Sequence, residues 1–243
     1  NFDGGDITVQ LLGSFISAHA LDDVGRIKSV LRHSPLMVRV NPVNPQTPGE
    51  VSAVLAQGAD LLMLPMFTTA DELRQFARIV DGRAPIVPLL ETAGALHSLP
   101  QWVATPGLAE VFVGLNDLHL SLGCRFMFEP LARGHVDKVA AVVHGAGLRF
   151  GFGGIARLDE GLLPGRDVLS EHVRLGSSAV ILSRTFHRSD SSTSFEDEVA
   201  SLREAEQRLA TRSPAQRDAD HQRVLARIDA IAAGMAPARA VAS

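Results

Sequence analysis

Short apolar runs recur between residues 36 and 186, at 36–40, 61–66, 86–90, 111–114, 149–155 and 179–186. Most are continuously apolar rather than alternating. That pattern suits strands covered on both faces, as in a parallel sheet. Helical signals lie between them. Thr47-Pro48-Gly49-Glu50 reads as an N-cap, a proline at the first helical position and a capping-box glutamate. Val51, Val54 and Leu55 follow at helical spacing, and Gln57-Gly58 is a natural stop. Thr69-Ala70-Asp71-Glu72 repeats the capping logic before Leu73, Phe76 and Ile79. Further helices are expected over 22–31, 136–145 and 167–175.

Runs of this kind, spaced about 24 to 38 residues apart, have the size of βα units. Six in series predict an α/β fold with a parallel sheet. A dinucleotide fold should carry G-x-G-x-x-G at its first βα turn. Gly151-Phe152-Gly153-Gly154 lacks that spacing and comes late in the chain. The expectation is therefore a (β/α)8 TIM-type barrel rather than a doubly wound sheet. A polar break covers 187–194, and beyond it 195–210 and 214–233 read as amphipathic helices. This divides the chain into a barrel domain, 1–190, and C-terminal helices, 191–243. The first of these helices is assigned as the last barrel helix. The second is an extra helix expected to pack on a neighbouring subunit. The tail after Gly234 is expected to fray.

Composition removes several function classes. Of 243 residues, 46% are hydrophobic, enough apolar side chain to exclude disorder for most of the chain. The formal charge is -4, so no basic excess exists to neutralise a nucleic acid backbone. Cys124 is the only cysteine, which excludes a disulfide-stapled domain and a cysteine-rich zinc module and fits a reducing cytoplasm. No apolar run is long enough for a membrane-spanning helix. Nothing before Ser14 resembles a signal peptide. The chain opens at Asn1-Phe2-Asp3 without an initiator methionine, and the expectation is that its front has been trimmed.

In a parallel barrel the catalytic groups stand at the C-terminal ends of the strands. Those ends read Arg39-Val40-Asn41-Pro42, Leu64-Pro65-Met66, Leu90-Glu91-Thr92, Gly114-Leu115-Asn116-Asp117, Gly153-Gly154-Ile155 and Leu182-Ser183-Arg184-Thr185. Glu91 and Asp117 end successive strands, so their carboxylates can converge. Facing each other without water they would repel, and one would stay protonated. A divalent cation removes that conflict, and Mg²⁺ takes one or two carboxylates while keeping positions for water and substrate oxygens. The alternative makes Glu91 a helix N-terminal acid and Asp117 an N-cap. Arg39 could hold a carboxylate in a bidentate fork, or form a structural ion pair. His19, beside Ser17, is either a catalytic base or a capping residue. His119 could orient a ligand or lie on a surface loop. His97, His135, His144, His172 and His221 fall in helices and read as structural. Cys124 has no identifiable base. The only lysines, Lys28 and Lys138, also fall in helical segments, which argues against a Schiff-base enzyme.

Four runs together carry a resemblance. They are Val38-Arg39-Val40-Asn41-Pro42, residues 58–66 around Leu64-Pro65-Met66, Pro88-Leu89-Leu90-Glu91-Thr92, and a G-x-N-D-L-x-x-S-x-G loop over residues 114–123. In this order they resemble the HpcH/HpaI aldolase and citrate lyase beta-subunit superfamily, over roughly residues 15–186. The resemblance implies a (β/α)8 barrel, often a homo-oligomer with an exchanged C-terminal helix. It implies a divalent metal on Glu91 and Asp117, with Mg²⁺ the first choice and Mn²⁺ or Co²⁺ alternatives. It places a 2-oxo acid substrate near Arg39 and the loop residues Leu115, Asn116 and His119, and His19-Ala20 at the acid/base position. Three features depart from it. Gln57 stands where the aldolase branch has an aspartate. The family's first strand, and its second, should precede Asn1. Residues 124–129 and 157–166 match no aldolase pattern.

The function expected is that of a metal-dependent carbon–carbon lyase, of class II aldolase type, working through a metal-stabilised enolate of a 2-oxo acid. One alternative is a citrate lyase-like acyl-CoA enzyme, with Arg125, Arg157 and Arg184 as candidates for the CoA phosphates. Another is an inactive barrel serving as an assembly partner.

Overall fold

The computed structural model describes residues 20–187 and 193–235. His19 and the segment 7–16 lie outside them. The chain forms two compact units: the first runs to Phe112 and takes in Val142–Arg149, and the second comprises Val113–Ala141 and the chain from Phe150 onward.

The first unit is a βα series. Its elements are α1 (Leu21–Val30), β1 (Met37–Arg39), α2 (Thr47–Ala56), β2 (Leu61–Leu64), α3 (Ala70–Val80), β3 (Ile86–Leu90), α4 (Ala93–His97), α5 (Leu99–Trp102) and most of β4 (Glu110–Val113). β1 pairs with β2 and β2 with β3, both parallel, with Arg39 in register with Met63 and Leu64 with Pro88. Every residue of β3 and β4 is buried, which explains why the apolar runs do not alternate. α3 shows how local sequence sets an element. Thr69 caps it by accepting from the Glu72 N–H, Leu73, Phe76 and Val80 form its buried stripe, and Asp81 ends it in a left-handed turn.

The second unit holds α6 (Leu115–Ser121), α7 (Glu129–Ala132), the start of α8 (His135–Gly145), β5 (Arg149–Ile155), α9 (Gly165–Arg174), β6 (Ala179–Leu182), a 3₁₀ turn (Arg184–His187), α10 (Phe195–Ala210) and α11 (Pro214–Ala233). β5 and β6 are parallel, with an irregularity between Gly151 and Gly154. α11 packs on α7 and α9 of its own unit. Val224 and Ile228 are fully buried there. Arg223 and Arg227 donate to the buried Asp167 carboxylate at the start of α9.

The six strands follow one another in the sheet in chain order. The architecture is thus α/β, with a six-stranded sheet among the described residues. β1 and β6, first and last in that order, are half-buried apart from the exposed Arg39.

Candidate active site

In the first unit the strand ends are tied together by side chains. β1 exits at Arg39, which is exposed and makes no ion pair among the described residues. The structural ion pair weighed as its alternative is absent there. Asn41 follows, and both its backbone N–H and its side-chain amide donate to Glu50 Oε1, at 3.0 and 2.7 Å. This corrects the expected capping box. Glu50 fastens the turn after β1, Thr47 accepts from the Asn44 N–H at 2.9 Å, and Gln46 is the N-cap of α2 without a side-chain bond.

At the end of β2, the Met66 N–H donates to Glu91 Oε1 at 2.9 Å. Glu91 is 4% exposed. Beside it, Thr92 Oγ1 donates to the Phe67 carbonyl at 2.7 Å and accepts from the Ala95 N–H at 3.0 Å. Thr92, not Glu91, therefore caps α4, and Glu91 turns back toward the preceding strand's exit. Gly94 is required by the same closeness. A methyl group there would stand 2.5 Å from the Thr68 carbonyl oxygen. Met66, Thr92 and Gly94 are site-building residues that sequence reading missed. Only Thr92 left a trace, as a threonine three residues before Ala95.

In the second unit Gly114 begins α6 without a side-chain cap, so Asp117 is not the N-cap. It lies in the first turn, half-exposed, where a helix N-terminus favours negative charge. Among the described residues its carboxylate makes no hydrogen bond and no ion pair. Asn116 is exposed beside it. Leu115 is 1% exposed and packs against Gly153, so its side chain belongs to the core and only its backbone can face a ligand. His119 Nδ1 lies 3.2 Å from the Leu115 carbonyl. A carbonyl only accepts, so Nδ1 carries a proton, and in the neutral ring the lone pair is on Nε2.

Other candidates are buried, engaged by partners or away from the strand exits. Gln57 is the C-cap of α2, at the entry side of β2, with its side chain against Gly25 of α1. Its identity does not bear on the strand exits of its own unit. Lys28 is joined to Asp60 at 2.6 Å. Burial pushes the Asp60 carboxyl up, but the Leu36 N–H and the Lys28 ammonium outweigh it and hold it below the usual carboxylate range. Arg157 is buried with Glu198 and Glu160 at 3.5 and 3.9 Å, so it is not a bare cation for a CoA phosphate. Cys124 is buried, and burial pushes its thiol up, away from a reactive thiolate. The loop 124–129 is organised by the buried Glu129, which accepts from the Arg125 and Phe126 N–H groups and from Arg133. No cluster of three or more His, Cys, Asp or Glu side chains occurs among the described residues, and no helix of theirs is long and apolar enough to cross a membrane.

No curated protein matches the sequence. The family model of HpcH/HpaI aldolase/citrate lyase matches residues 18–127, somewhat under half of the chain. Among solved structures the chain is similar to an HpcH/HpaI aldolase/citrate lyase family protein from Burkholderia cenocepacia (20% identity, TM-score 0.53, covering 79% of this chain and 81% of that one). It is also similar to an HpcH/HpaI aldolase from Desulfitobacterium hafniense (19%, TM-score 0.56, covering 69% and 73%). A third is the citrate lyase beta subunit of Mycobacterium tuberculosis, complexed with oxaloacetate and magnesium (16%, TM-score 0.52, covering 70% and 72%). Over residues 18–127 the chain carries the sequence pattern of the HpcH/HpaI aldolase/citrate lyase family, and its fold is that of these structures.

Proposed function

We propose that this protein is a metal-dependent carbon–carbon lyase acting on a 2-oxo acid. The observation that carries the reading is the state of three charged groups at strand exits. Glu91 is buried and oriented by the Met66 N–H, while Asp117 and Arg39 make no ion pair among the described residues. Groups held for structure alone would be neutralised, as Asp60 and Glu129 are, whereas Asp117 and Arg39 have no such partner among the described residues. The donor set fits a hard divalent cation, since both acids offer oxygen ligands. Glu91 and Asp117 would hold it. When bound, such a cation supplies Lewis-acid polarisation of the substrate carbonyl, typically worth several kcal/mol. The magnesium in the Mycobacterium tuberculosis citrate lyase beta subunit supports this assignment.

The chain's own residues do the rest. Arg39 presents a fixed positive charge and a planar fork to the substrate carboxylate, oriented before the reaction starts. A base removes the proton of the substrate's C4 hydroxyl as the C3–C4 bond breaks, releasing an aldehyde and leaving the electron pair on the enolate. That enolate is then protonated at C3. His19 is the first candidate for the base and lies outside the described residues. His119, whose neutral ring would accept at Nε2, is the second. Such a base contributes on the order of 10²–10⁴-fold.

The test is turnover of 4-hydroxy-2-oxo acids, read as 2-oxo acid release. EDTA is expected to abolish it and Mg²⁺ or Mn²⁺ to restore it, and borohydride with pyruvate to leave the protein unlabelled. Covalent labelling, or full activity in EDTA, overturns the reading. The citrate lyase likeness favours a second reading, cleavage or condensation of an acyl-CoA. A thermal shift with acetyl-CoA and none with pyruvate selects it.

A further inference from the structure

We infer that Met66 is a positioning residue, whose left-handed backbone turn holds the Glu91 carboxylate in place for a divalent cation. The inference rests on the reading of Glu91 as a metal ligand.

Met66 has φ +55°, and the only other non-glycine residue with positive φ among those described is Asp81, the C-cap of α3. Such a conformation crowds Cβ against the following carbonyl and persists only where the surroundings over-determine it. Here they do. Pro65 has its φ fixed near −65° by the ring, so it cannot take the bend. Phe67 is 2% exposed, stacked edge-on against Trp102 with ring centroids 5.2 Å apart, and its carbonyl is held by Thr92 Oγ1. Between a locked residue and an anchored one, the reversal out of β2 falls on residue 66.

The reversal has a chemical consequence. The register of β2 with β3 ends at Leu64 and Pro88, and Pro65 has no N–H to continue it. The next backbone donor is the Met66 N–H, and the turn delivers it to Glu91 Oε1 rather than to a strand carbonyl. Met66 is 46% exposed, so core packing does not dictate its identity. What matters at this position is the backbone conformation.

That distinction fixes the experiment. Glycine and asparagine accept the left-handed region, whereas β-branched residues resist it. Met66→Gly, Met66→Asn, Met66→Val and Met66→Ile are titrated with Mn²⁺ by calorimetry, with Glu91→Gln as control, and melted in EDTA. The polar and small variants are expected to bind Mn²⁺ within about twofold of the unaltered protein, with Met66→Gly melting higher. The two β-branched variants, though apolar, are expected to bind at least about tenfold more weakly. If valine and isoleucine retain binding, or glycine and asparagine lose it, the inference is overturned while the lyase reading stands. Should the β-branched variants fail to fold, intact binding by Met66→Gly with a raised melting temperature supports it and lost binding overturns it. No Mn²⁺ uptake by the unaltered protein, or uptake unchanged in Glu91→Gln, overturns the lyase reading and this inference with it.

Discussion

His172 lies inside the second unit, stacked on Phe152 with ring centroids 3.8 Å apart and planes 7° from parallel. Its Nδ1 stands 2.8 Å from Ser177 Oγ, whose own proton goes to the Ala179 carbonyl, so the ring donates through Nδ1. Burial lowers its pKa to about 3. The unfolded ring takes a proton near pH 6.5, so between the two values the unfolded chain binds more protons. Stability is therefore complete above pH 6.5 and falls as pH drops toward 3. At pH 5 the loss from this one group comes to about 2 kcal/mol. Urea melts at pH 8 and pH 5 should show that increment in the unaltered protein and not in His172→Gln. An identical pH dependence in both would refute it. The structural role of His172 is legible in the sequence, because a histidine on the apolar stripe of a helix has nowhere else to go. The placement of Arg39, Glu91 and Asp117 at or just beyond strand ends is legible for another reason: each closes an apolar run. Met66 is not legible, since nothing in a methionine announces a positive φ.

At the scale of elements, the βα rhythm locates every strand of the described residues, and a capping signal locates α3. The capping box at Thr47 fails because competing donors capture the Glu50 carboxylate. The turn after β1 offers Glu50 two amide donors of Asn41, more than a helix N-terminus would. The packing of α11 is equally hidden, since an amphipathic pattern shows that a face is buried and not against what. α4 illustrates how tightly the strand exits are built. Gly94 sits against the Thr68 carbonyl, and backbone cannot move aside as a flexible side chain can. Gly94→Ala is expected to cost about 1–3 kcal/mol of stability. A chemical denaturation midpoint unchanged from the unaltered protein would show that the loop yields.

For the whole molecule, the resemblance read from four short runs agrees with the matching family model and with the fold of the solved structures. Closure of the sheet is not legible in the same way. The rhythm counts strands but says nothing of what covers the edge strands, and β1 and β6 are half-buried. The proposed chemistry depends on one requirement, that Glu91 and Asp117 serve the same cation. Electron paramagnetic resonance of free Mn²⁺, with oxalate present as a mimic of the enolate, measures this directly. The account predicts that one Mn²⁺ disappears from solution per chain, and that Glu91→Gln and Asp117→Asn, each folded, both abolish the uptake. Free Mn²⁺ left unchanged by the protein, or uptake surviving in either variant, would contradict it.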